Sequence, residues 1–241
     1  MAVVAFLSMM GAALLGFLAK TRLPSEHLRG DTNNAIRLVA NLFVVMTSLV
    51  LGLMLNSAKN TLETNNRNVR TLATELIPLD RTMRAIGPEA NDARQHLVEY
   101  VRNWLRDPNI LEEDPQGEAL LDTIGTRLKA IPTSEGQKIE LWNDSLQQYR
   151  QVVNQRWILV DASGGTIPTP LIIMLIFWLA IIFASFGYRS PSNTTVTASF
   201  FMAALLISAT LYLIVDMDTP TTGTIEVSNA PVVRALTQLQ R

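Results

Sequence analysis

The stretch that decides the fold runs from Leu171 to Asp218 and reads LIIMLIFWLAIIFASFGYRSPSNTTVTASFFMAALLISATLYLIVDMD. Its only basic residue is Arg189, and its only acidic residues are Asp216 and Asp218 at the very end. A helix needs about 20 apolar residues to cross the hydrocarbon core of a bilayer. Each side of Arg189 offers a run of about that length. The stretch therefore predicts two membrane-spanning helices joined by a short polar loop.

Two further windows without a formal charge lie earlier in the chain, at residues 1–19 and 38–56. Only 17% of the residues are charged, against roughly 25% in an ordinary soluble domain. Four buried core helices would need a larger soluble shell than this chain provides. We therefore predict an all-α integral membrane protein with four spans. The first window has no basic residue ahead of its apolar run, so we interpret it as a retained helix rather than a signal peptide.

Between the second and third apolar windows lies a long polar segment with helical periodicity. Leu72, Leu76 and Leu79 follow at steps of three or four residues, Pro78 is expected to bend or break their helix, and Gly87 is expected to end it. The segment predicts a soluble bundle of about four helices, inserted between spans two and three. The expected division is residues 1–55 for spans one and two, 56–165 for the bundle, 166–216 for spans three and four, and 217–241 for a docked tail.

The tail begins at a turn. Asp216 and Asp218 end the fourth span, where the simplest interpretation is that they mark the water boundary, although a carboxylate deep in a bilayer would indicate function. Pro220 and Gly223 then redirect the chain. The last helical segment is only about ten residues long, which is marginal for a helix alone in water, so we expect it to dock on the bundle.

Basic residues in short loops set the expected orientation. The first loop holds Lys20, Arg22, Arg29 and Arg37, and the loop between spans three and four holds Arg189. These loops are predicted to lie in the cytoplasm, and the bundle outside it. The expected location is the inner (plasma) membrane of a bacterium, crossed several times.

The second span carries the candidate site, a face formed by Asn41, Val45, Ser48 and Gly52 at steps of three or four residues. One interpretation is a close helix–helix contact, since small residues let helix backbones approach in a membrane. The other is the lining of a pore, with a polar entrance at Asn41 and an apolar neck near Val45 that gates by dewetting. The residues leave both interpretations open.

The sequence offers little for catalysis, metal binding or nucleic-acid binding. It contains no cysteine and two histidines, His27 and His96, and no phosphate-binding glycine loop or nucleophile motif. Its net charge of -1 gives no basic surface for nucleic acid. We predict that the protein is not an enzyme and has no cofactor or metal. Its expected partners are the lipid bilayer and further copies of itself.

Three short motifs resemble the bestrophin-like family of bacterial membrane proteins, whose activity is not established. They are Tyr100-Val101 with Trp104 in the polar segment, Phe186-Gly187 with Pro191 and Asn193 between the last two spans, and Asp218, Pro220 and Gly223 with Ile225 and Val227 after the last span. Asn103, Thr219 and Thr221 depart from the family pattern.

The resemblance implies a relation to bestrophins, which are pentameric anion channels whose pores are lined by the second membrane helix. Bestrophins keep their large helical part in the cytoplasm, opposite to the orientation that the basic residues predict here. The leading hypothesis is a channel-like or transport-related oligomer. The alternative is a sensory or scaffold membrane protein whose helical bundle binds a ligand or a protein partner outside the cytoplasm.

Overall fold

The computed structural model describes residues 1–22, 30–106, 115–132, 136–191, 193–219, 225 and 227–241. The described residues form α-helices, one short 3-10 turn and connecting segments, with no strand among them. The helices are α1 (Ala2–Arg22), α2 (Gly30–Ile86), α3 (Asn91–Arg106), α4 (Pro115–Lys129), α5 (Gly136–Ser163), α6 (Thr169–Arg189), α7 (Thr194–Asp218) and α8 (Ala230–Leu239).

Four of these helices are long and apolar enough to cross a membrane. They are α1, the part of α2 that begins at Arg37, α6 and α7. This confirms the all-α class and the four spans predicted from the uncharged windows. The prediction succeeds because a bilayer core offers no water to the backbone N–H and C=O groups. A helix pairs these groups by hydrogen bonds within a single segment.

The chain forms two compact units. The span unit comprises Met1–Asn60 and Thr166–Asp218, and the insert unit comprises Thr61–Gly165 and Thr219–Arg241. Each unit has its own cluster of buried hydrophobic side chains. The helix α2 contributes to both, with residues 30–60 in the span unit and 61–86 in the insert unit.

The 57-residue helix α2 passes through Pro78 without ending, so of the two outcomes expected at this proline, a bend or a break, the break does not occur. A proline inside a helix removes one backbone hydrogen bond. Here the surrounding turns are held by their packing, since Leu76, Leu79 and Met83 are fully buried. The helix stops where the sequence indicates, before Gly87, whose φ of 107° suits glycine and few other residues.

In the span unit, α1 lies closest to α6 and also packs along α7. Two glycines allow the close approach. A Cβ at Gly16 would strike the Ala184 carbonyl oxygen, and a Cβ at Gly187 would strike the Ala13 carbonyl oxygen. We call this contact the α1–α6 seam. It is a membrane helix contact of the small-residue kind, and α2 is joined to α6 by side chains such as Phe43 and Trp178, whose ring centroids lie 5.5 Å apart.

The insert unit is built from the second half of α2 with α3, α4, α5 and α8. Its core includes Trp104 and Leu97 from α3, Leu128 from α4 and Val152 from α5, all buried. The last helix joins the same core through three buried side chains, Val232, Ala235 and Leu239. Burial of this apolar face explains how a helix of ten residues is stable, since packing supplies the stability that so short a helix lacks in water.

Candidate functional site

The predicted face of α2 is exposed in the single chain. Asn41, Val45, Ser48 and Gly52 are all exposed, Val45 to 67%. A Cβ added at Gly52 would meet no atom within 4 Å. The described helices therefore leave this face uncovered, and they do not use Gly52 for a close contact.

The buried side of α2 is different from the predicted face. In the span unit it is formed by Ala40, Thr47, Met54 and Ala58, which are all buried. The Thr47 hydroxyl donates to the Phe43 carbonyl oxygen at 2.7 Å, so this polar side chain is satisfied within its own helix. Sequence reasoning missed this side, because it favoured residues whose size or polarity stood out.

Asp218 is a buried acceptor at the end of α7, where 4% of the residue is exposed. One carboxylate oxygen accepts from the Thr166 backbone N–H at 3.1 Å and from the Thr166 hydroxyl at 2.8 Å. The other accepts from the Ile167 backbone N–H at 2.9 Å. The carboxylate thus fixes the end of α7 to the segment that leads into α6.

Asp216 is also buried, at 6% exposed. The interpretation of the two aspartates as residues that merely mark a water boundary is therefore incomplete, since both carboxylates are enclosed by protein. Pro220 and Gly223, the other two residues of the predicted tail turn, lie outside the described residues.

A second ionic cluster centres on Asp80 of α2. Its side chain is 3% exposed and binds Arg84 at 2.6 Å and Arg94 at 2.9 Å. Arg84 also donates to the carbonyl oxygens of Gln238 and Leu239, at 3.0 and 2.9 Å. A cation at the carbonyl end of a helix stabilises it, so this cluster helps to hold α8 in the insert unit.

Sequence reasoning missed the Asp80 cluster for a physical reason. An Asp and an Arg four residues apart on a helix are typical of an exposed pair of little energetic value. Only the packing of α3 and α8 around Asp80 makes the pair a buried one.

Metal chemistry finds no support in the described part of the chain, where no group of three or more His, Cys, Asp or Glu side chains is arranged to hold an ion. His96 lies 3.8 Å from the Asp92 carboxylate, which also binds Arg127 at 2.9 Å. His27 lies outside the described residues.

The motif residues whose contacts the structure describes occupy structural positions. Tyr100, Val101 and Trp104 are buried in the insert unit. Gly187 forms the α1–α6 seam. Asn193 accepts from the Val196 backbone N–H at 2.9 Å and so begins α7, as an Asn at a helix start commonly does. These residues therefore serve packing and helix capping.

The family model described as Bestrophin-like domain matches residues 7–232. The chain therefore belongs to the Bestrophin-like family, which confirms the resemblance carried by the three motifs. It is a membrane protein of that family with a helical fold and four apolar spans. A search of curated proteins finds no match.

Solved structures show the same fold. Two mutant forms of a bacterial bestrophin homologue from Klebsiella pneumoniae match with TM-scores of 0.65 and 0.63 at 15% and 14% identity. These matches cover 99% and 98% of this chain, and 97% and 99% of the homologue. A crystal structure described only as a membrane protein matches with a TM-score of 0.62 at 13% identity, covering 99% of this chain and 96% of the other. At such identities the likeness concerns the fold.

Proposed function

We propose that the protein is a channel-like membrane protein that works as a homo-oligomer and not as an enzyme, with the α2 face of Asn41, Val45, Ser48 and Gly52 lining its pathway. Membership of the Bestrophin-like family supports a channel-like role. Bestrophins line their pores with the second membrane helix, and the uncovered face lies on the second span of this chain.

The exposure of the α2 face carries the proposal. Glycine in a membrane helix is typical of a close helix contact, yet none of the described residues comes within 4 Å of an added Cβ at Gly52. Asn41 is exposed as well, and polar side chains in a membrane usually face other protein or water rather than lipid. A ring of subunits around a water-filled path provides such surroundings for the whole face.

The proposal is tested by placing a carboxylate on the face. Val45→Asp in a water-filled path is solvated, so the protein should still insert and assemble, and ion flux in liposomes should change in size or selectivity. The matched control is Leu206→Asp on α7, since Leu206 is 59% exposed and Val45 is 67% exposed. A lipid-facing Asp at a span centre costs about 3 kcal/mol on the insertion scale, so this control should reduce expression and assembly.

The channel hypothesis is rejected if purified wild-type protein passes no ions at any pH or voltage, and if Val45→Asp loses expression and assembly in the same way as Leu206→Asp. In that case the α2 face is a dry helix contact between subunits. Assembly is measured separately, by the mass of the detergent-solubilised particle.

We also propose that residues 56–165 form a soluble helical bundle outside the cytoplasm, that residues 217–241 dock on it, and that the protein lies in the inner membrane of a bacterium. The basic residues of the first loop support this orientation, whereas the bestrophin layout supports the opposite one. The chain has no cysteine, so the labelling of a single introduced cysteine shows on which side of the membrane it lies, without background from other thiols.

The orientation is tested at two exposed positions, Thr126 of α4 and Thr195 of α7. Thr126→Cys should react with an impermeant thiol reagent in intact cells, and Thr195→Cys should react only after the cells are opened. The reverse pattern would place the bundle in the cytoplasm and establish the bestrophin layout.

A further inference from the structure

An apolar slot of about 310 Å³ opens between α2, α6 and α7 in the span unit. It extends over about two helical turns of each helix. The slot adjoins the exposed α2 face and shares Ser48 with it. Its lining includes Val44 and Leu51 from α2, Leu179 and Phe186 from α6, and Phe200 and Ala203 from α7.

The slot presents almost no polar group to an occupant. Its two hydroxyl-bearing residues are Thr47 and Ser48, and each hydroxyl donates within α2, to the carbonyl oxygens of Phe43 at 2.7 Å and Val44 at 3.0 Å. A polar ligand would find no partner for its hydrogen bonds and would lose those it makes with water. The lining therefore selects a hydrocarbon occupant.

The size of the slot suits a long hydrocarbon chain rather than a single side chain. An apolar cavity of about 150 Å³ holds one benzene molecule, so the slot has room for roughly twelve carbon atoms by the same measure. A Leu or Phe side chain from a neighbouring subunit would leave much of that space empty.

One end of the slot lies close to basic residues. Phe186 is one helical turn before Arg189, and the Ser190 carbonyl oxygen accepts from Lys20 Nζ at 3.1 Å. Arg37 is exposed and precedes Val44 by seven residues, which is about 10 Å along α2.

The acidic side chains that the structure describes in the span unit are few. They belong to Asp216 and Asp218, which lie at the end of α7 opposite to these basic residues. The charged side chains that the structure describes at this end of the slot are Lys20, Arg37 and Arg189, and all three are basic. Clustered basic residues at a membrane surface attract anionic lipids.

We propose that the slot binds one acyl chain of an anionic phospholipid, whose phosphate group lies among Lys20, Arg37 and Arg189. The apolar walls hold the chain, and the basic residues select the headgroup. The bound lipid fills the space between α2 and the other two helices, so it belongs to the packing of the span unit. The proposal holds whether or not the protein conducts ions.

The test uses the full chain, purified in detergent, stripped of lipid and then mixed with equal amounts of phosphatidylglycerol and phosphatidylcholine. Native mass spectrometry measures which lipid remains on each chain. The wild-type protein should retain about one phosphatidylglycerol per chain and prefer it to phosphatidylcholine. The mass of the bound molecule also distinguishes a phospholipid from a free fatty acid.

Two variants test the apolar walls and the headgroup site independently. Ala203→Phe fills the slot, and displacing even two methylene groups should weaken retention by about tenfold. The control Ala209→Phe adds the same ring at an exposed position of α7 outside the lining and should retain lipid as the wild type does. Arg37→Gln should lower the preference for phosphatidylglycerol by about fivefold, the effect of one basic side chain near a membrane surface.

Equal retention by Ala203→Phe and Ala209→Phe would overturn the proposal, as would equal binding of the two lipids by the wild type. Loss of the oligomer in Ala203→Phe, with lipid still bound, would show that a second copy fills the slot instead. If Ala203→Phe does not assemble, Arg37→Gln decides, because it leaves the walls unchanged. An unaltered lipid preference in that variant rejects the headgroup site.

Discussion

The two glycines of the α1–α6 seam and the glycine of the α2 face have opposite surroundings. At Gly16 and Gly187 an added Cβ would strike the backbone of the facing helix. At Gly52 it would meet no atom within 4 Å. The same residue type thus marks a filled contact in the α1–α6 seam and an open surface on α2.

The difference shows that a small residue in a membrane helix permits a close contact without specifying where the partner comes from. In the seam, the partner is another helix of the same chain. On α2, no helix of the described chain reaches Gly52, so a contact there requires another subunit, a lipid or water. Gly52 is therefore a position at which the oligomer can be tested directly, whereas the motif residues with described side chains serve packing and capping.

The largest effect is expected from breaking the seam. Gly187→Leu would push a side chain into the backbone at Ala13, and a backbone cannot move aside as a flexible side chain does. We expect the free energy of unfolding to fall by about 3 kcal/mol or more, which is the upper end of the range for overpacked cores. Thermal unfolding in detergent measures the change.

Gly11→Leu on α1 is the control for the seam, because nothing lies within 4 Å of an added Cβ at Gly11. It should unfold near the wild-type temperature. Equal destabilisation by the two variants would mean that the contact at Gly187 is not what holds α1 to α6.

A loss of about 3 kcal/mol is also expected for Asp218→Ala. The change leaves the backbone N–H groups of Thr166 and Ile167 without their acceptor, and hydrogen bonds to a charged group contribute about 1.5–3 kcal/mol each. Asp161→Ala, at an exposed position, should have little effect in the same thermal assay. If both variants unfold together with the wild type, the Asp218 contacts do not stabilise the span unit.

The insert unit contains a close glycine contact of the same kind, here against a side chain. Gly125 of α4 lies against Tyr149 of α5, whose hydroxyl would be 2.5 Å from an added Cβ and donates to the Leu121 carbonyl oxygen at 2.9 Å. Gly125→Ala should cost about 1–2 kcal/mol, less than Gly187→Leu, because a side chain rather than a backbone must move. A loss as large as that of Gly187→Leu would contradict this ranking.

Tyr149 also gives a pH dependence. Burial, and then the charge of Asp122, raise the pKa of Tyr149 above its ordinary value of about 10. The folded state therefore favours the neutral phenol. The stabilisation that the neutral phenol contributes is fully present below about pH 10, and it is lost as the pH rises through the folded-state pKa of Tyr149. Tyr149→Phe should be less stable than the wild type by about 1 kcal/mol at neutral pH.

The stability difference between wild type and Tyr149→Phe should shrink above about pH 10, where the phenol of the unfolded wild-type chain ionises. Thermal unfolding of both proteins across that range measures it. A difference that stays constant would show that the tyrosine does not titrate as its surroundings indicate.

The smallest effect on the stability of the chain is expected at the open face. Gly52→Ala adds a methyl group where nothing lies within 4 Å, so the free energy of unfolding should change by no more than about 0.5 kcal/mol. The oligomer should respond instead, by a change in particle mass or in ion flux. A variant that loses stability without any change in the oligomer would contradict the contrast between Gly52 and the seam glycines.

The sequence alone determined the elements of this protein. Uncharged windows of about 20 residues predict helices that cross a bilayer, because the hydrocarbon core excludes charges and unpaired backbone groups. Gly87 indicated the end of α2. The three motifs indicated the Bestrophin-like family, which the match over residues 7–232 confirms.

Only the tertiary structure decided which side of each helix is covered. On α1, the buried stripe is formed by Ala5, Met9, Ala13 and Gly16, whereas the small residues Ser8 and Ala12 are only half-buried. The spacing of Asp80 and Arg84 is typical of a surface pair, and Asp218 was expected to mark the water boundary, but both aspartates are buried. Local sequence sets the period of a helix and its ends, whereas burial depends on partners that are distant along the chain, such as Thr166 for Asp218.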